Sequence, residues 1–244
     1  MTDIELARHL AAGAAKILLD LRARGDLSGK ELGKEGDRQA NAWLMNEVAR
    51  ERPDDGVLSE ETKDTPERLG KSRVWIIDPL DGTREYSEGR DDWAVHIGLA
   101  IDGRAASGAV ALPGMGETLD SGAPPALAAA ADTPRMLVSR TRPAAEAVAV
   151  AKAIGADLVP MGSAGAKAMA VVRGEAEIYL HSGGQFEWDN CAPVAVAQAA
   201  GLHVSRIDGS PLAYNCEDTY LPDLLICRKE WADTVLELVA QIDR

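Results

Sequence analysis

The 244-residue sequence predicts an α/β or α+β fold, because helical and strand patterns interleave along the whole chain. Segments with apolar residues at every third or fourth position alternate with short, β-branched apolar runs. Hydrophobic residues make up 46% of the chain and charged residues 27%, a composition typical of globular proteins. The length is sufficient for a well-filled core in one large domain or two small ones.

The first part of the chain predicts two helices. Thr2 and Glu5 have the spacing of a capping box, and Gly25 is expected to end the first helix. After a polar, glycine-rich stretch, Asp37 is expected to cap a second helix that ends before Pro53. The patterns beyond it predict strands at 57–58, 74–77, 93–101, 105–112, 136–139, 157–159, 178–180 and 224–227, and helices at 143–154, 164–173, 188–200 and 230–242.

A division of the chain is expected within residues 121–134, which are rich in Ala, Pro and Gly and show little periodicity. The sequence therefore predicts an N-terminal half, 1–130, and a C-terminal half, 131–244.

Composition also excludes several classes of protein. A net charge of −13 argues against nonspecific nucleic-acid binding, which requires basic patches. The three cysteines have no Cys-x-x-Cys spacing, so neither a disulfide framework nor a zinc site is expected. Without an apolar run of about 18 residues, or a signal-peptide pattern at the start, we expect a cytoplasmic protein without a membrane span.

The strongest functional motif lies at the end of an apolar strand. This strand, Val74 to Ile77, leads directly into two carboxylates, Asp78 and Asp81, on either side of a proline turn. An isolated Asp-x-x-Asp is usually a solvated loop. Here, burial of unpaired acids would be unfavourable, and hard cations with oxygen ligands would offset both the burial and the mutual repulsion.

The motif resembles the Asp-Pro-hydrophobic-Asp-Gly-Thr signature of the inositol-monophosphatase superfamily. Three further segments occur in the order found in that family: a Glu-Glu pair at 60–61, Gly-Ser-Ala at 162–164 and Trp-Asp at 188–189. The similarity covers roughly residues 3 to 228. It implies a layered α/β/α/β/α sandwich and a phosphomonoesterase that uses two or three Mg²⁺ ions, with sensitivity to lithium and a homodimer as family traits.

The resemblance assigns roles to individual positions. It implies that the metal ligands are Glu60, Asp78, the Leu80 carbonyl, Asp81 and Asp189, and that backbone amides of Gly82 and Thr83 hold the phosphate. Asp37 corresponds to an acid that hydrogen-bonds the Thr83 hydroxyl and helps Glu60 to activate water. From the residues alone, Asp37 is equally well interpreted as a plain helix cap.

The substrate is predicted from the residues after the signature, Arg84-Glu85-Tyr86. A basic residue, Glu and an aromatic residue here resemble the CysQ-type 3′-phosphoadenosine 5′-phosphate phosphatases of sulfate assimilation, which release phosphate and AMP. Arg84, Ser163, Lys167 and Glu187 are therefore expected to contact the substrate. Inositol 1-phosphate and fructose 1,6-bisphosphate stay open as alternatives, and a catalytically silent binding protein is a further one.

Other polar residues have simpler interpretations. His96 lies in an apolar strand and is expected in the core, and His181 is expected to be a loop residue. Cys191 is expected to act as a small buried hydrophobic group. The segment 162–167 does not fit a nucleotide-binding P-loop, because Lys167 is followed by Ala168.

Overall fold

The computed structural model describes residues 1–242 and contains two five-stranded sheets with three layers of helices. Its helices are α1 (Asp3–Arg24), α2 (Gly29–Glu51), α3 (Thr83–Ser87), α4 (Ala145–Ile154), α5 (Ala164–Val172), α6 (Glu187–Ala199) and α7 (Lys229–Ile242). Its strands are β1 (Gly56–Ser59), β2 (Arg73–Asp81), β3 (Ala94–Ile101), β4 (Arg104–Leu112), β5 (Glu117–Asp120), β6 (Arg135–Ser139), β7 (Asp157–Met161), β8 (Ile178–Phe186), β9 (His203–Ser205) and β10 (Tyr220–Cys227).

The first sheet has the strand order β1-β2-β3-β4-β5, with β1 parallel to β2 and the other pairs antiparallel. Successive side chains of a strand point to opposite faces. On β2, Trp75 and Ile77 pack in the core under α1 and α2, whereas Val74 and Ile76 face the centre of the molecule. The sheet is therefore covered by apolar side chains on both faces.

The central layer consists of α5 and α6. Helix α6 lies very close to the first sheet because two strand positions facing it carry no side chain. A Cβ at Gly98 would lie 2.8 Å from the Cys191 sulfur, and one at Gly108 would lie 2.9 Å from the Cα of Ala192. This close approach brings the beginning of α6 to the end of β2.

The second sheet has the order β7-β6-β8-β10-β9 and is mixed, with β6 parallel to β7 and β8. Helices α4 and α7 cover its outer face through an apolar cluster that includes Val150 and Val235. The order of layers is α/β/α/β/α, as the family resemblance implies. The first sheet lies within residues 56–120 and the second within 135–227, and no helix or strand occurs between 121 and 134.

Most predicted elements are present, and three of the boundaries require correction. The capping box at Thr2 and the left-handed Gly25 confirm the limits of α1. Asp37 does not cap α2, because this helix begins eight residues earlier, at Gly29. Strand β2 continues through Pro79 to Asp81, and β8 continues to Phe186, well beyond its predicted end.

Pro79 is compatible with a strand because the β2–β3 pairing is irregular between Asp78 and Asp81. A proline removes one ladder hydrogen bond, and an irregularity in the ladder is where this is tolerated. Strands β5 and β9 have no counterpart in the sequence prediction. Within residues 1–242, no helix is both long and apolar enough to cross a membrane.

Candidate active site

Two aspartates at the carboxyl end of β2 meet a third from the beginning of α6. Asp78, Asp81 and Asp189 each place a carboxylate oxygen within 4.8 Å of the others. The two β2 residues are buried, and Asp189 is half-buried in the first turn of α6. Such a cluster of hard oxygen donors is the set that Mg²⁺ prefers.

Asp81 is held in the ionised state by surrounding donors. Its Oδ2 accepts hydrogen bonds from the Ser163 hydroxyl at 2.5 Å and from the Gly165 backbone N–H at 2.7 Å. Burial alone would raise the pKa of Asp81. The His96 imidazole and these hydrogen bonds instead hold it well below its usual value.

His96 belongs to the site, whereas the sequence analysis predicted only a core position for it. It is fully buried, and its Nε2 lies 3.1 Å from Asp81 Oδ2 in an ion pair, while its Nδ1 lies 3.0 Å from the Trp188 carbonyl oxygen. Burial would lower the pKa of His96, but the Asp81 charge raises it. The Nε2 contact meets the distance of an ion pair but not the geometry of a hydrogen bond, so Asp81 acts on His96 chiefly through its charge.

Asp78 and Glu60 are brought together by strand pairing. Strand β1 runs parallel to β2 with Ser59 opposite Ile77, so the next residues, Glu60 and Asp78, are neighbours at the same sheet edge. Burial and the carboxylates of Glu60 and Asp81 raise the pKa of Asp78 well above its usual value. Burial, Asp81 and Glu61 likewise raise the pKa of Glu60. Both shifts indicate excess negative charge that a bound cation would neutralise.

Asp189 is positioned at the beginning of α6. One carboxylate oxygen accepts a hydrogen bond from the Phe186 backbone N–H at 2.6 Å. Burial and the Asp81 charge raise the pKa of Asp189 to about 7. Deprotonation of Asp189 near neutral pH is therefore favoured when positive charge is present.

The turn after β2 has the geometry expected of the signature motif. Gly82 has φ 89°, a left-handed conformation that favours glycine, and α3 begins at the next residue. The Thr83 hydroxyl donates to the Leu80 carbonyl oxygen at 3.2 Å. The predicted hydrogen bond between Thr83 and Asp37 is absent from residues 1–242, so this part of the prediction is corrected.

Asp37 lies on the buried face of α2, where burial and the charges of Glu61 and Glu60 raise its pKa to about 8. Asp37, Glu61, Thr83 and Arg84 nevertheless line one cavity of about 600 Å³. The structure thus brings the predicted catalytic acid and hydroxyl to a common space next to the acidic cluster.

Ser163 and Lys167, at the start of α5, are tied to the protein itself. Ser163 has φ 49° and, besides donating to Asp81, accepts from the Ala166 backbone N–H. The buried Lys167 ammonium donates to the carbonyl oxygens of Gly162 and Ser163, and burial lowers its pKa. Both residues line a second cavity, called the main cavity because Asp81 and Asp189 also line it. Their placement is therefore compatible with substrate contact.

Glu187 has a different environment from the one predicted. Its side chain is fully buried, and its two carboxylate oxygens accept hydrogen bonds from the backbone N–H groups of Asn215 and Cys216 at 2.7 and 2.8 Å. It does not line the main cavity. The predicted substrate contact of Glu187 is therefore corrected: its carboxylate is buried and occupied by the backbone of residues 215–216.

The main cavity has a volume of about 400 Å³ and joins acidic and basic residues. Asp81 and Asp189 lie on its wall together with Arg84, Arg140 and Arg142. Arg140 forms ion pairs with Glu85 and Glu88, and its guanidinium nitrogen lies 2.9 Å from a carboxylate oxygen of each. Arg84 and Arg142 are exposed and have no carboxylate partner in the described part of the chain. Sequence reasoning did not identify Arg142, because no motif surrounds it.

His181 lies on the same wall. Its Nε2 is 3.0 Å from the Gly183 carbonyl oxygen. Burial, with the positive charges of Lys167 and Arg142, lowers its pKa to about 4, so His181 is neutral at pH 7. Positive charge on this side of the cavity therefore comes from the arginines and Lys167.

Two sheets in a layered sandwich, with an acidic cluster formed by β2 and α6, are the arrangement expected of an inositol-monophosphatase-type fold. Comparison with known families agrees with this class. The model of the "Inositol monophosphatase family" matches residues 2–244. The chain belongs to the inositol monophosphatase family.

Two relatives are similar over nearly the whole chain. The "3′-phosphoadenosine 5′-phosphate phosphatase" of Mycobacterium bovis is 52% identical over 93% of this chain and 89% of its own length. The protein of the same name from Mycobacterium leprae is 46% identical over 99% of this chain and 95% of its own length. Among solved structures, CysQ from Bacteroides thetaiotaomicron has a TM-score of 0.80 at 25% identity, covering 93% of this chain and 97% of that one.

Proposed function

We propose that this protein is a Mg²⁺-dependent phosphatase that hydrolyses 3′-phosphoadenosine 5′-phosphate to AMP and phosphate. The observation that carries the proposal is the cavity of about 400 Å³, which joins the acidic cluster to two guanidinium groups that have no carboxylate partner within residues 1–242. A substrate with two phosphates fits this arrangement, because one phosphate can bind at the acidic cluster and the other at the arginines. The names of the mycobacterial relatives support the same substrate.

The acidic cluster is the proposed metal site. Asp78, Asp81 and Asp189 would hold Mg²⁺, with Glu60 and the Leu80 carbonyl completing the set of oxygen donors. We propose two or three ions, as the family resemblance implies. When bound, such ions lower the pKa of water to generate a nucleophile and stabilise negative charge on the leaving oxygen.

The protein's own residues would orient the substrate and the water. The 3′-phosphate would lie next to the Gly82–Thr83 turn and accept hydrogen bonds from its backbone amides, as the family resemblance implies. Asp37 and Thr83 face the neighbouring cavity, where Asp37 in its ionised form would accept a proton from the attacking water. His96, Ser163 and the Gly165 N–H hold Asp81 ionised and in a fixed orientation.

The second phosphate would bind to the arginines. Arg84 approaches from α3 and Arg142 from the loop between β6 and α4, so both halves of the molecule contribute. Guanidinium groups suit phosphate because they donate several hydrogen bonds in one plane. A sugar bisphosphate also carries two phosphates, which is why fructose 1,6-bisphosphate is the appropriate competitor in the test.

The experiment measures phosphate release with Mg²⁺ from 3′-phosphoadenosine 5′-phosphate, inositol 1-phosphate and fructose 1,6-bisphosphate, each with and without lithium. We expect a large kcat/KM advantage for the nucleotide and inhibition by lithium. Preference for either of the other substrates would contradict the proposed specificity while leaving the metal site intact.

A matched pair of substrates tests the arginines. Adenosine 3′-monophosphate lacks only the 5′-phosphate, so the ratio of the two kcat/KM values reports that group alone. Arg142→Gln should reduce the ratio by about tenfold, the value of one charge-assisted hydrogen bond. The control Arg104→Gln changes an exposed arginine outside the cavity. An unchanged ratio in Arg142→Gln would exclude this residue from phosphate binding.

We propose a cytoplasmic homodimer acting on a small molecule and not on nucleic acid. The net charge of −13 supports the last point. Size-exclusion chromatography with light scattering would test the dimer, since a monomeric mass at micromolar concentration would contradict it.

A further inference from the structure

A buried polar network joins two loops to the beginning of α6, and its residues do not line the main cavity. Its centre is the short segment Tyr214–Cys216, which contacts the beginning of α6 on one side and the 3₁₀ turn Pro66–Gly70 on the other. Asn215, in this segment, has φ 59°, a left-handed conformation that only a few residue types adopt readily. None of these side chains has a place in the reaction proposed above.

The contact with α6 is made by two buried residues. Glu187, the first residue of the helix, accepts the backbone N–H groups of Asn215 and Cys216. Asn190 Oδ1, one turn further along, accepts the Tyr214 hydroxyl at 2.9 Å. Asp189 lies between these two anchors in the sequence. The segment therefore fixes the first turn of α6 and with it the carboxylate that completes the acidic cluster.

The contact with the other loop is made by Arg68, whose side chain is only 2% exposed. Its guanidinium donates to Asn215 Oδ1 and to the Cys216 carbonyl oxygen, both at 2.9 Å, and to both carboxylate oxygens of Asp64 at 2.7 Å. Asn215 Nδ2 in turn donates to the Arg68 carbonyl oxygen at 3.1 Å. The contact is therefore reciprocal.

Arg68 follows Glu60 by eight residues, in the loop that leaves β1. This loop is held at its beginning by the Glu60 N–H, which donates to the Ile77 carbonyl oxygen, and further along by Arg68. A fully buried arginine whose hydrogen bonds all go to one short segment and one nearby acid is costly to bury, which points to a requirement for a fixed geometry.

We infer that Arg68, Asn215 and Glu187 are positioning residues that set the separation between Glu60 and Asp189. They would adjust the affinity of the site for metal without touching metal or substrate. The inference rests on the proposed metal site, because Glu60 and Asp189 are ligands only in that proposal. Partners that orient metal ligands commonly affect metal affinity by 10–100-fold, and the lower value is expected for an indirect effect.

The test is calorimetric titration of Mg²⁺ alone into the metal-free, full-length protein. Asn215→Gly keeps the left-handed backbone and removes the side-chain contacts with Arg68, and Arg68→Met removes the guanidinium. We expect each variant to bind Mg²⁺ about tenfold more weakly. At saturating Mg²⁺, the substrate KM should be nearly unchanged.

A control separates positioning from general stability. Arg206 forms an ion pair with Asp223 at 2.6 Å, similar in length to the Arg68–Asp64 pair at 2.7 Å. It lies outside the network and the main cavity. Arg206→Met should lower Tm without changing the Kd for Mg²⁺. If Asn215→Gly and Arg68→Met lower Tm but bind Mg²⁺ as tightly as wild type, the inference is overturned.

The titration also distinguishes this inference from the proposed function. A wild-type protein that binds no Mg²⁺ would contradict the metal site itself. Tight binding by wild type and by both network variants would leave the metal site standing and remove only the positioning role. If Arg68→Met does not fold, Asn215→Gly decides the question alone.

Discussion

Replacement of Gly165 by alanine is expected to disturb the acidic cluster from a position that contacts no substrate atom in the proposal. A Cβ at this residue would lie 2.0 Å from His96 Nε2. Ordinary contact begins at 3.4 Å, so the two atoms would have to separate by about 1.4 Å. His96 is fully buried between Asp81 and the Trp188 carbonyl oxygen and cannot move without losing one of these contacts.

The expected loss of stability in Gly165→Ala follows from the close packing of the core. Insertion of a methyl group into a filled core typically costs about 1–3 kcal/mol. For a chain of this length, each kcal/mol corresponds to about 2–4 °C in Tm, so a cost of about 2 kcal/mol lowers Tm by about 4–8 °C. The displaced imidazole would no longer compensate Asp81, so we also expect kcat/KM to fall by about tenfold or more.

The assay combines thermal unfolding with phosphate release in a double-mutant cycle. In the His96→Ala background the obstruction is absent, so Gly165→Ala should there cost much less than in the wild-type background. Gly70→Ala is the matched control, because a Cβ at Gly70 meets nothing within 4 Å. Equal costs of Gly165→Ala in both backgrounds would refute the proposed contact with His96.

Three further predictions concern the carboxylates. Asp81→Asn should lower turnover by at least about 100-fold while the circular dichroism spectrum stays that of the wild type, because it removes ligand charge; near-normal activity would contradict the ligand assignment. Asp37 has a pKa of about 8 in the folded protein and an ordinary value of 3.8. Its contribution to stability is therefore present below about pH 4 and is lost as the pH rises toward 8. In EDTA, the Tm of the wild type should fall relative to that of Asp37→Asn as the pH is raised from 5 to 9. A Tm difference between the two proteins that does not change with pH would contradict the raised pKa. Mg²⁺ binding should release protons at pH 6 and fewer at pH 8.5, because Asp189 has a pKa of about 7 without metal; calorimetry in two buffers of different ionisation enthalpy measures this release, and equal release at both pH values would count against it.

The local parts of the fold follow from the sequence. The capping box at Thr2 and the glycine after α1 are signals within a few residues, and the structure contains both. The apolar strand that ends in Asp78 and Asp81 is also a local signal. This strand, β2, lies inside the first sheet between β1 and β3, which explains why both acids are buried.

The start of α2 could not be predicted because tertiary packing outweighs the low helix propensity of glycine. A Cβ at Gly33 would lie 2.7 Å from the side chains of Ser87 and Thr83, and one at Gly36 would lie 3.1 Å from the Tyr86 ring. The glycines of this stretch allow α3 to pack directly on α2. A glycine-rich sequence that predicts a loop is here the surface against which the signature motif rests.

The errors at the site also have a tertiary origin. His96 on β3 pairs with Asp81 on the neighbouring strand β2, a contact that depends on the register between the two strands. In the sequence, β3 shows only one histidine among apolar neighbours. Glu187 lies next to the Trp-Asp motif, but successive residues of a helix point in different directions, so it faces the opposite side from Asp189. Neighbouring positions in a motif therefore do not imply a shared role.

The most direct test of the proposed function is the identity of the nucleotide product. Purified protein is incubated with 3′-phosphoadenosine 5′-phosphate and Mg²⁺, with a parallel sample in EDTA, and the products are identified by phosphorus-31 NMR. The proposal predicts adenosine 5′-monophosphate and inorganic phosphate with Mg²⁺, and no reaction in EDTA. Release of the 5′-phosphate, or equal turnover in EDTA, would contradict it.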